Sequence, residues 1–151
     1  MSRIRILVAD QAEAIFYDAP SLDARPKEVG RISDPLGHQH DRDFGSERPG
    51  RSYESVGGAR HAIERENGPR YQEAVRFARR ISCRLDDALH RDEFDELIVV
   101  AGPPFLGLVR SELSEQARRC VVHEIRKDLV HSPVEALRRH LPESAAELHP
   151  A

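Results

Sequence analysis

The run Leu97-Ile98-Val99-Val100-Ala101 is apolar at every position, bounded by Phe94-Asp95-Glu96 before it and Gly102-Pro103-Pro104 after it. A run this short and this continuous reads as a strand buried on both faces, so it predicts a central parallel strand in an α/β sheet with helices on its faces. Gly102 permits a sharp bend, Pro103 and Pro104 leave the ladder but suit a first helical turn, and Leu106, Val109 and Leu113 recur at helical spacing. In open α/β sheets ligands lie beside such carboxyl ends of strands. Gly102, Pro103, Pro104 and Gly107 are therefore a candidate sheet-end pocket, without a catalytic group among them.

Upstream, Arg3 to Ala9 alternates and then becomes continuously apolar, Asp10-Gln11 makes a turn, and Ala14 to Tyr17 reads as a second strand close enough to pair antiparallel with the first. Ser21 to Ser33 is a weaker third strand, and Pro26 assigns it to an edge. From Asp34 to Pro69 the chain is rich in Gly and Pro with almost no apolar period, which predicts a long loop. Asn67-Gly68-Pro69 then signals a helix whose apolar stripe runs through Tyr71, Val75, Ala78, Ile81, Leu85 and Leu89. Arg76, Arg80 and Arg84 project to its opposite, solvent-facing side.

Beyond the central strand, Phe105 to Arg119 is helical with a break near Ser111 to Ser114, where Ser114 caps a second short helix. Cys120 to Ile125 is the last strand. Ser132-Pro133 opens a terminal helix through Val134, Leu137 and Leu141, with Ser132 as its cap and Pro142 as its stop. The order β-β-β-α-β-α-β-α combines an antiparallel meander with right-handed parallel crossovers. It predicts one domain over residues 1–142, a five-stranded mixed sheet in the order 3-2-1-4-5 of ribonuclease-H-like type. The tail 143–151 is expected to fray.

With 151 residues, 32% of them charged, the chain is long enough for a core without metal or disulfide. Nothing reads as a membrane span or signal peptide, so a cytoplasmic protein without membrane insertion is expected. Cys83 and Cys120 are far apart with no metal-ligand spacing and read as reduced thiols. The net charge of −3 argues against indiscriminate nucleic-acid binding. The basic residues are nonetheless nearly all Arg, with Lys27 and Lys127 the exceptions, and they outnumber the acids between Arg48 and Arg91. Arg suits phosphate forks and base stacking, and the codons of a GC-rich genome also favour it.

At Arg48-Pro49-Gly50-Arg51-Ser52, then Ser55-Val56-Gly57-Gly58-Ala59-Arg60-His61, Phe94-Asp95 with its strand, Leu106-Gly107 and Lys127-Asp128-Leu129, the chain resembles the bacterial host attachment family, named for a protein described as required for attachment to host cells. That family is in turn similar to the middle domain of class-1 release factors, in which a Gly-Gly-Gln tip precedes an Arg-rich helix. The resemblance implies a domain that acts at RNA or the ribosome. Gly57-Gly58 occupies a comparable place, but Ala59 follows instead of Gln, so peptidyl-tRNA hydrolysis is not expected from it.

No catalytic set is complete. Asp10 ends the first strand, whereas Asp95 and Glu96 lie at the wrong end of the fourth for a two-metal nuclease. Asp10 therefore reads as a turn residue. His38 and His40 with Asp41 and Asp43 lack a fixed third ligand, and no nucleophile triad, P-loop or dinucleotide fingerprint occurs. No metal or cofactor is expected. The expected binding residues are Arg48, Gly50, Arg51, Ser52, Gly57, Gly58, Arg60 and His61 on the loop with Arg76, Arg80 and Arg84 on the helix, engaging RNA or, as the alternative, a protein partner supporting attachment. A hydrolase acting at the sheet end is the weaker alternative.

Overall fold

The computed structural model describes residues 3–36 and 68–143. Five strands, β1 (Ile4–Ala9), β2 (Glu13–Ala19), β3 (Lys27–Ser33), β4 (Glu96–Ala101) and β5 (Val121–Ile125), form one mixed sheet in the order β3-β2-β1-β4-β5. Strands β1, β2 and β3 are antiparallel neighbours, while β4 runs parallel to both β1 and β5. This is the expected order, because short links allow only a meander and a helical crossover returns the chain parallel. The helices are α1 (Pro69–His90), α2 (Phe105–Glu112), α3 (Glu115–Cys120) and α4 (Val134–His140).

Strand parity divides the core. Leu7, Ala9, Phe16, Leu97 and Val99 face α1, α2 and α3, with Phe77 and Phe105 stacked at 6.2 Å between ring centroids. Ile6, Val8, Ile15, Ile98 and Val100 face the opposite side, where Val130, Leu137 and Leu141 cover them. Two covered faces explain why β1 and β4 read as unbroken apolar runs.

Several boundaries differ from the sequence reading. Strand β3 begins at Lys27, after Pro26, because proline cannot donate to the ladder and closes the preceding turn instead. Pro103 and Pro104, joined by a cis peptide bond, stay outside α2; Pro104 is its N-cap residue, and Leu106 donates its N–H to the Gly102 carbonyl at 3.1 Å. Ser132 does not cap α4, since Pro133 occupies the N-cap position and no side chain bonds there. Ser114 does cap α3: its hydroxyl oxygen accepts from the Ala117 N–H at 3.0 Å and donates to Asp86 of α1 at 2.6 Å.

Helix α1 ends in a Schellman motif. The Glu93 N–H reaches the Ala88 carbonyl and the Asp92 N–H the Leu89 carbonyl, both at 3.0 Å. Asp92 takes the left-handed position, φ 59°, where glycine is usual, a conformation that Asp tolerates better than most residues. The turn directs Arg91 and Glu93 back toward the start of β1. Arg3 fixes the same corner by pairing with Asp95 at 3.1 Å and Asp92 at 2.9 Å, and its carbonyl accepts from the Asp95 and Glu96 N–H groups.

Candidate functional site

The three helix arginines lie together along the seam between α1 and the edge strand β3. At about 100° per residue Arg84 is only roughly 20° around α1 from the buried Phe77. Arg84 therefore occupies the shoulder of the buried stripe, which corrects the sequence reading for that residue, while Arg76, roughly 100° from Phe77 on the side away from Ala78 and Ile81, projects opposite the stripe as expected. All three are exposed, yet each leans toward the protein. Arg76 pairs with Glu73 at 2.6 Å; Arg80 donates to the Ser33 carbonyl at 3.1 Å with its guanidinium 5.4 Å from the Phe77 ring centroid. Arg84 lies 5.4 Å from the Phe16 centroid. Neighbouring Arg79 is held by Glu112 at 3.0 Å. Among the described residues no carboxylate forms an ion pair with Arg80 or Arg84.

A β-bulge makes room for Arg84. Phe16 pairs with Gly30 but Tyr17 pairs with Glu28, so Val29 is the extra residue and turns outward, 48% exposed. A Cβ on Gly30 would come within 3.0 Å of the Arg84 Nη2 atom. Beside Gly30 lies a cavity of about 350 Å³ lined by Arg5, Phe16, Gly30, Arg84, Asp87, Arg91 and Glu93. Arg5, buried in β1, is already satisfied there: Asp18 accepts two bonds at 2.5 and 3.0 Å, Glu93 one at 3.2 Å, and the guanidinium lies over Phe94.

Arg91, Asp87 and Gly30 were missed in the sequence. Arg91 had a readable signal, since it follows Arg84 by seven residues and so shares its helical face. The bulge that opens the space beside Gly30 had none. The loop residues Arg48, Gly50, Arg51, Ser52, Gly57, Gly58, Arg60 and His61, and the metal candidates His38, His40, Asp41 and Asp43, lie outside the described residues.

At the other end of the sheet, Gly102 follows β4 and its Cβ position is 3.6 Å from the Asp128 Cβ, while Pro103 is exposed and Pro104 half-buried. Gly107 sits on the exposed side of α2 with nothing within 4 Å of its Cβ position. Asp10 is a turn residue, its Oδ1 accepting from the Ala12 and Glu13 N–H groups, both at 2.8 Å. Burial pushes its carboxyl up, against those two bonds; the Asp128 charge adds to the rise and His131, 3.9 Å away, opposes it. Among the described residues no group of three or more His, Cys, Asp or Glu is placed to hold a metal ion. Cys83 and Cys120 are free, and burial pushes the Cys120 thiol up, which keeps it a thiol. No helix among the described residues is long and apolar enough to cross a membrane.

Fold and seam define a small mixed-sheet α/β domain with arginines ranged along one sheet edge. The chain belongs to the family described as "Protein required for attachment to host cells", which matches residues 5–141. It is 45% identical over 47 residues to an uncharacterized protein of Rickettsia prowazekii (strain Madrid E), a match covering 31% of each chain. A solved structure described as an archaeal protein is similar at 11% identity and a TM-score of 0.49, covering 89% of this chain and 32% of that one. The matched region thus spans about a third of the length of either relative.

Proposed function

We propose that this member of the host attachment family is a non-catalytic, release-factor-like domain of ribonuclease-H-like architecture that binds RNA or the ribosome through the α1 and β3 seam. The observation that carries the reading is the arrangement of Arg80 and Arg84, exposed, beside aromatic rings and without carboxylate partners among the described residues. Guanidinium groups held in this way are partly desolvated and oriented, which favours phosphate contact and stacking on unpaired bases. Arg48, Arg51 and Arg60, in the Gly- and Arg-rich sequence that precedes α1, are further candidate phosphate contacts.

Fluorescence anisotropy with a single-stranded RNA tests the proposal. Arg76→Glu/Arg80→Glu/Arg84→Glu is expected to weaken binding and to flatten the dependence of log affinity on log salt by about 2, the share of three lost phosphate contacts on a single strand. Unchanged affinity in a variant with wild-type circular dichroism would refute it. A second reading, a protein-interaction module supporting attachment, draws on Val29 and Leu36, the exposed large apolar residues beside the edge of β3. It predicts capture of one protein partner that survives nuclease treatment and is lost with residues 45–65.

A further inference from the structure

We propose that the cavity between the C-terminal half of α1 and the bulged strand β3 is a binding site for a single terminal phosphate, carried either by a free nucleoside monophosphate or by the 5′ end of an RNA. Arg84, in the C-terminal half of α1, and Arg91, the C-cap residue just beyond it, both line the space. Among the described residues Arg84 has no ion-pair partner, and Arg91 has one long pair, with Glu93 at 3.9 Å. The other Glu93 oxygen already accepts from Arg5 at 3.2 Å. A phosphate between the two arginines gains charge-assisted bonds that no described residue supplies to Arg84.

The rest of the lining selects the ligand. Asp87 lies between the two arginines in sequence and adds one negative charge, so a single phosphate is favoured over a polyphosphate, while its carboxylate accepts from ribose hydroxyls or a base N–H. Phe16 supplies an aromatic surface. A volume of about 350 Å³ suits one nucleotide. The absent Cβ of Gly30 lets the Arg84 guanidinium lie close over the strand at this site.

The pocket itself is independent of the proposed RNA binding; only the RNA source of its phosphate rests on that reading. The test titrates the full chain with inorganic phosphate and with adenosine 5′-monophosphate, followed by amide NMR shifts. A parallel anisotropy series compares 5′-phosphorylated and 5′-hydroxyl single-stranded RNA of one sequence. Expected are shifts centred on Gly30, Arg84 and Arg91 with both small ligands, and tighter binding of the phosphorylated RNA. Arg91→Ala should weaken the monophosphate and abolish the 5′ preference, by roughly tenfold or more. Arg76→Glu, outside the cavity, should weaken both RNAs equally and leave the monophosphate unaffected.

RNA binding without a 5′ preference, together with no shifts from phosphate or monophosphate, would overturn the pocket and leave the RNA reading standing. Monophosphate binding that Arg91→Ala abolishes, with no RNA bound at low salt, would support the pocket and overturn the RNA reading. Shifts from the small ligands that Arg91→Ala leaves unchanged would overturn the pocket.

Discussion

Arg3 and Asp95 join the starts of β1 and β4 through backbone and side chain at once. The Arg3 guanidinium and its N–H hold the Asp95 carboxyl well below the usual range, at about 2. A carboxylate depressed in the folded state stabilises the fold above its unfolded value and loses that contribution as pH falls toward the folded one. The Asp95 carboxyl resonance should therefore titrate near 2, and Asp95→Asn should remove that part of the acid sensitivity of the wild type; titration at the ordinary aspartate value would contradict the pairing. Glu73, at the foot of α1, presents the opposite case: the neighbouring Asp34, buried with one oxygen lacking a hydrogen-bond partner among the described residues, pushes the Glu73 carboxyl up, burial adds to the rise, and Arg76 opposes it.

Among the elements, the two short helices after β4 depend most on a single side chain. Ser114 ends the break between α2 and α3, satisfies the free Ala117 N–H in the first turn of α3 and ties the helix to Asp86 on α1. Ser114→Ala should cost about 1 kcal/mol, the usual worth of such a cap, read as a lower urea midpoint with unchanged slope; an unchanged midpoint would show that the cap contributes nothing. This break was legible because serine after an apolar helical repeat has few other uses. Strands β1 and β4 were legible for a related reason, since only burial on both faces makes every residue apolar. Ser132 misled because Pro133, the next residue, takes the N-cap position itself. Arg84 misled because a helical projection gives an angle but not the distance to the neighbouring strand, which the bulge at Val29 sets.

For the molecule as a whole, connectivity was readable and the site only half so. Short links between the first three strands and helical links between the rest leave little choice but the order 3-2-1-4-5. The site depends on contacts between distant segments: Gly30 with Arg84, and Arg91 with Glu93 and Arg5. No local pattern encodes those. Nor did the sequence show that Asp128 comes beside Gly102 and within electrostatic reach of Asp10, because three loops must converge at one end of the sheet to bring them together. What emerges is a domain with a cavity of mixed charge between α1 and the edge strand β3, and with Asp10 and Asp128 near each other at the carboxyl end of β1 and β4.

The central claim is that the α1 and β3 seam engages RNA in the cell. Sedimentation of the tagged protein through a sucrose gradient of lysate, at low and high salt and with or without ribonuclease, tests it most directly. The account predicts migration with ribosomal particles or other RNA at low salt, lost at high salt, on ribonuclease treatment and in the triple Arg76, Arg80 and Arg84 charge-reversal variant. Migration of the wild type as a small free species under every condition would contradict it.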